Sequence, residues 1–237
     1  MIEILALGFV IGLGHALEAD HLAALSTMAA KERRRDHIVR HGVSWGLGHA
    51  IMLFVVGGIA IWFQQHLDER IAESLEAVVG FMLIALGIGV LWRLLRDRIH
   101  IHRHRHDDGT QHLHAHSHRH DQGNHDPSDH HHAHPSHLSP GALVIGLVHG
   151  MAGSAALVVL VASTLSTPVF GLIYIALFGL GSVIGMGLLS AVIAIPLTWT
   201  AKGLTVVHQI VQCGIAFGAI GLGGLILAER LPAILTV

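Results

Sequence analysis

Residues 14–22 read "GHALEADHL", from Gly14 to Leu22. They sit inside the first apolar stretch of the chain, roughly 3–29, where lipid favours Leu and Val. A charged side chain at bilayer depth costs about 2.5–3.5 kcal/mol on insertion scales. Glu18 and Asp20, flanked by His15 and His21, therefore need a compensating partner. A divalent cation is such a partner: carboxylates neutralise its charge, and neutral imidazoles donate nitrogen lone pairs. At 100° per residue, His15, Glu18 and His21 fall at roughly 0°, 300° and 240°, one face of a helix. Asp20 falls near 140°, off that face, in an unbroken helix. A break beside Gly12 and Gly14 would bring all four together, and broken helices are common at transport sites.

Composition agrees with a membrane setting. Hydrophobic residues make up 52% of the 237 and charged residues 13%, about half the charged share of a soluble domain. Mean hydropathy is +0.60. The single cysteine, Cys213, excludes an internal disulfide and a cysteine-based metal cluster. The N-terminal stretch lacks a basic region and a small-residue cleavage site, so targeting is expected to fall to the first span.

Six stretches are long enough to span: roughly 3–29, 42–63, 74–95, 141–165, 169–196 and 205–228. The expected fold is all-α, a polytopic membrane protein of six transmembrane helices. Lys31, Arg33, Arg34, Arg35 and Arg40 follow the first span, and Arg93, Arg96, Arg98, Arg103, Arg105 and Arg119 follow the third. Lys202 stands between the fifth and sixth, while the opposite side holds only Arg70 and Arg230. The positive-inside rule makes the basic side cytoplasmic and both termini external. Residues 100–137 hold fifteen of the 23 histidines and almost no apolar residue, so a solvated, largely disordered cytoplasmic loop is expected there.

The sequence also repeats. An offset of 134 places Gly12-Leu13-x-His15 on Gly146-Leu147-x-His149, and Gly80, Ala85, Gly87 and Gly89 on Gly214, Ala219, Gly221 and Gly223. An offset of 133 places Gly46-Leu47-Gly48 on Gly179-Leu180-Gly181. Three spans per half invert the second half, an architecture of transporters whose site lies where the halves meet. The expected organisation is a first repeat over 1–99, the His-rich loop over 100–140 and a second repeat over 141–237.

Two further histidines stand in apolar surroundings: His49 in "SWGLGHAIML" and His149 in "GLVHGMAGSAAL". The candidate metal set is thus His15, Glu18, Asp20, His21, His49 and His149. Imidazole with carboxylate suits nickel, cobalt, copper and zinc, and the scarcity of Cys and Met near the cluster argues against Cu(I). Ser154 and Thr164 are candidates only for hydrogen bonds between helices.

These motifs carry a resemblance. "HALEADHL" resembles the signature H-A-x-D-A-D-H-[IL] of the nickel/cobalt transporter (NiCoT) family, with Glu18 standing where that family has Asp. "SWGLGHA" resembles its following-span motif S-L-G-H-S, and "FGLGSVIGMGL" a later motif with Phe and Gly-Met. "GLVHGMAGSAAL" resembles the urease-accessory-type branch of nickel permeases. The resemblance implies metal roles for His15, Asp20 and His21, and a functional His49. The chain departs from the family in span count and in lacking its acidic "LGFDTATE"-type motif, where His149 and Ser154 stand instead.

The function expected is transport of Ni²⁺ or Co²⁺ into the cytoplasm, with the metal as cargo and no resident cofactor. No G-x-x-x-x-G-K-[ST] motif is present, so the driving force is expected to be the membrane potential. The expected partners are the cation, the bilayer and a cytoplasmic metallochaperone as acceptor, with no nucleic acid. Three alternatives stay open. The first is a nickel/cobalt efflux protein, and the second a membrane-tethered metal buffer acting through the His-rich loop. The third is an intramembrane metal-dependent hydrolase, which the absence of H-E-x-x-H disfavours.

Overall fold

The break anticipated beside Gly14 is present. In the computed structural model, α1 (Ile2–His15) stops at the first histidine and α2 (Ala19–Ala29) begins four residues later. The backbone tightens there through Leu17 N–H donating to Gly14 O (2.9 Å) and Glu18 N–H to His15 O (3.1 Å). Glu18 then takes an extended conformation (φ −61°, ψ 148°) before α2 starts. The two helices meet at a bend of 52°.

The chain continues as α3 (Arg35–Phe63), α4 (Glu69–Arg96), α5 (Pro140–His149), α6 (Pro168–Thr200) and α7 (Thr205–Leu235). The structure describes residues 2–63, 69–96, 100–105, 111–116, 138–151, 165, 167–201 and 204–235. Among these, α3, α4, α6 and α7 are each long and apolar enough to cross a membrane, and the bent α1–α2 pair makes a fifth span if taken as one. The described residues thus account for four or five of the expected six. The remaining expected span, 141–165, is described only through α5, Met151 and Leu165, and residues 152–164 lie outside the described part.

The His-rich loop, expected to be largely disordered, contains one described strand pair. β1 (His100–Arg105) pairs antiparallel with β2 (Gln111–His116), in a register that sets His100, His102 and His104 opposite His116, His114 and His112. The alternation in "HIHRHR" and "QHLHAH" has the period of two that a strand requires. The rest of the loop, 106–110 and 117–137, lies outside the described residues.

Helices α3 and α6 form the central pair, with α1 packed on α6, α5 on α3, and α4 on α7. Close approach is made by glycine. A Cβ on Gly12 would collide with the Phe178 carbonyl, and one on Gly146 with the Trp45 carbonyl. A Cβ on Gly181 would strike the Phe9 carbonyl, and one on Gly48 the Leu143 carbonyl. Within each of these two sets, the contacts are related by the sequence offset of 133–134 residues. Such small-residue interfaces are how helices pack where lipid removes the hydrophobic drive to associate.

Buried hydroxyls in α6 are satisfied along their own helix: Ser182 donates to Phe178 O (3.0 Å), Ser190 to Met186 O (2.7 Å) and Thr198 to Ala194 O (2.6 Å). The core gathers Ala16, Leu25, Trp45, Leu83 and Met186. The outer faces carry exposed Trp62, Phe81, Trp92, Trp199 and Phe217, a surface suited to lipid contact. After α2 the chain is pinned by Arg93 Nη1 donating to Lys31 O (2.6 Å) and Gln212 Nε2 to Ala30 O (2.6 Å). Partial burial and the nearby Arg93 guanidinium push the Lys31 pKa down.

Candidate metal centre

The bend places its histidines at the crossing of the central helices. His15 ends α1, His21 lies in the first turn of α2, His49 is midway along α3 and His149 ends α5. All four are buried. His21 is the hub: its ring centroid lies 4.2 Å from that of His15, 4.3 Å from His149 and 5.2 Å from His49. His15 and His49 are 5.2 Å apart, and His49 and His149 6.0 Å.

Asp20, which an unbroken helix would turn away, joins the cluster because the bend re-aims α2. Its Oδ1 lies 2.8 Å from His21 Nδ1 and its Oδ2 3.1 Å from His149 Nε2. An ionised carboxylate only accepts, so each imidazole places its proton on the bonded nitrogen. The lone pairs then fall on His21 Nε2 and His149 Nδ1. Those two atoms, together with both nitrogens of His49, are buried without a hydrogen-bond partner among the described residues. An unpaired buried polar group costs about 1–3 kcal/mol, and a cation would turn that cost into coordination.

Two trios have donor atoms all within 4.8 Å of one another: His15, His21 and His49, and Asp20, His21 and His149. Glu18 belongs to neither. Its side chain is 52% exposed and its Oε1 lies 2.7 Å from His15 Nδ1, so it orients His15 rather than joining the buried cluster.

Two residues absent from the sequence-level set wall the site. Trp45 stands 5.3 Å from both His21 and His149, and Phe178 stands 5.2 Å from His15, ring centre to ring centre. The Trp45 Nε1–H is also buried without a partner among the described residues. A signal for both was present. Trp45 precedes His49 by one helical turn, and the offset of 133 places Trp45 on Phe178 and His49 on Ser182.

Comparison with known proteins points the same way. A family model described as "NicO: High-affinity nickel-transport protein" matches residues 1–226. The chain is 33% identical over 214 residues to "Urease accessory protein UreH" of Bacillus sp. (strain TB-90), covering 90% of this chain and 85% of that protein. It is 27% identical over 184 residues to the "Putative nickel/cobalt efflux system MJ1092" of Methanocaldococcus jannaschii, covering 75% of this chain and 70% of that one. No solved structure matches. The family match sets aside the hydrolase alternative. With apolar helices of spanning length around a buried cluster of imidazoles, the chain belongs to the NicO family of high-affinity nickel-transport proteins, multi-pass membrane permeases and not enzymes.

Proposed function

We propose that this chain carries Ni²⁺ or Co²⁺ across the bilayer into the cytoplasm, with Asp20, His15, His21, His49 and His149 as the intramembrane ligands. One observation carries the reading. Buried imidazole nitrogens of His21, His49 and His149 are unpartnered among the described residues, on rings whose centres lie 4.3–6.0 Å apart beside the Asp20 carboxylate. Glu18 holds His15 through its Nδ1. The donor set is nitrogen-rich with one carboxylate, which suits a borderline divalent metal.

Two inverted three-span halves would rock about the α3–α6 crossing, the stretch 141–165 completing the fourth of six spans. The glycine contacts that recur at the repeat offset support this symmetry. The basic loops, by the positive-inside rule, support a cytoplasmic His-rich segment and external termini. On the cytoplasmic side the loop would buffer incoming metal for a metallochaperone. A divalent cation moving inward down a potential gains about 4.6 kcal/mol per 100 mV, so neither ATP nor a resident cofactor is required.

The test is uptake of radioactive nickel into proteoliposomes with an inside-negative potential. Wild-type protein is expected to accumulate metal and His21→Ala to fail. Equal uptake by the variant would overturn the site.

A second reading, outward transport, is favoured by the efflux name of the archaeal relative. Cellular nickel content with and without the protein separates the two by sign.

A further inference from the structure

The two donor trios intersect at a single residue, His21. A neutral imidazole has one lone-pair nitrogen and one N–H, so His21 serves one cation at a time. The trios differ in chemistry. One offers three neutral imidazoles, from His15, His21 and His49. The other offers a carboxylate and two imidazoles, from Asp20, His21 and His149. They differ in exposure as well: the side chain of Asp20 is 28% exposed, whereas those of His15, His21 and His149 are 2% exposed.

Taking the metal site of the preceding section as its basis, we propose that the cation is held alternately in two overlapping sites and passes between them by a ligand exchange on His21. The Asp20–His21–His149 site, whose carboxylate is more exposed than the imidazoles of His15, His21 and His149, is the loading position. The His15–His21–His49 site is the occluded position. His21 stays bound throughout, while Asp20 and His149 give way to His15 and His49. Three observations carry the scheme. His21 is the only residue common to both trios. It sits between His15 and His149 at almost equal ring distances, 4.2 and 4.3 Å. Both nitrogens of His49 are held without a partner among the described residues, as an acceptor position requires.

The experiment uses the full-length protein in detergent and in proteoliposomes, with nickel as the probe. With residues 100–137 replaced by a Gly/Ser linker of equal length, so that the loop histidines do not contribute, the otherwise wild-type protein is expected to bind one nickel per chain, and the variants are counted in the same background. His49→Gln and His15→Gln are each expected to keep one nickel within about tenfold of the wild-type Kd, with a carboxylate oxygen in the shell by X-ray absorption. His149→Gln is expected to keep one nickel in an imidazole shell. Flux through all three should fall by about 10–100-fold, because a cation held in one site has no second site to enter. In the loop-replaced background His21→Ala should lose binding and flux together.

Two nickel ions bound at once to the loop-replaced protein would overturn the exchange. So would loss of binding in all three Gln variants when they remain monodisperse and melt like wild type, since that outcome describes one indivisible site. Failure of the wild type to bind or move nickel at all would overturn the parent reading of the site and this one with it.

Discussion

Asp20 and His149 stand 129 positions apart in sequence, and Asp20 Oδ2 lies 3.1 Å from His149 Nε2 in space. The same carboxylate holds His21 Nδ1 at 2.8 Å through its other oxygen. One side chain thus fixes the proton position of two imidazoles on two helices. A second partner that orients a metal-binding imidazole typically contributes a factor of 10–100 in metal affinity.

Asp20→Asn tests this. The amide keeps one acceptor oxygen and replaces the other with a donor, which cannot receive an N–H from a second histidine. Nickel affinity is expected to fall by about 10–100-fold, read from a binding isotherm. A thermal melt run alongside separates this loss from unfolding. An unchanged isotherm would show that the carboxylate neither ligates nor orients.

The helix contacts make a stability prediction. A Cβ on Gly12 or Gly146 would strike the Phe178 or Trp45 carbonyl, part of a rigid neighbouring helix. Gly12→Ala and Gly146→Ala are expected to destabilise by about 1–3 kcal/mol, the usual cost of overpacking. Gly218 has nothing within 4 Å of its added Cβ. Gly218→Ala is therefore expected to be neutral or to stabilise by up to about 1 kcal/mol through helix propensity. Melting temperatures of the three variants in one detergent check the contrast. Equal shifts would mean that close approach does not govern this fold.

Much of the site was legible in the sequence because its chemistry is out of place in lipid. His15 and His21 stand out as polar residues in an apolar stretch, and the offset of 134 finds His149 from His15. Helical angles alone misplace two carboxylates. They put Glu18 on the histidine face and Asp20 off it, whereas the 52° bend turns Asp20 into the cluster and leaves Glu18 half exposed. The angle rule assumes an unbroken helix, and the Gly12/Gly14 pair signals a break without its direction. Trp45 and Phe178 do not stand out in the sequence, because aromatic residues in apolar helices look like ordinary core. The strand pairing in the His-rich loop is carried by the period-two alternation in "HIHRHR" and not by composition, which points to solvation.

The loop itself yields an expectation. Replacing residues 100–137 with a Gly/Ser linker of equal length leaves every ligand named above in place. Flux at saturating nickel is expected to stay close to wild type, and the number of nickel ions bound per chain to fall. Proteoliposome uptake and equilibrium dialysis measure the two. Loss of uptake would favour the tethered-buffer alternative, in which the loop does the binding.

Trp45 separates wall from ligand support. Its ring backs His21 and His149 at 5.3 Å, and its Nε1–H has no partner among the described residues. Trp45→Ala empties a fully buried position and is expected to cost about 3–5 kcal/mol, with binding lost as the two imidazoles relax into the space. Trp45→Phe keeps most of the wall and removes the N–H. Since an unsatisfied buried donor costs about 1–3 kcal/mol, the smaller cavity is expected to be offset, leaving melting temperature and nickel flux near wild type. If Trp45→Phe folds normally yet transports nothing, the indole N–H acts on the cation path itself, and the view of Trp45 as a packing surface for His21 and His149 is wrong.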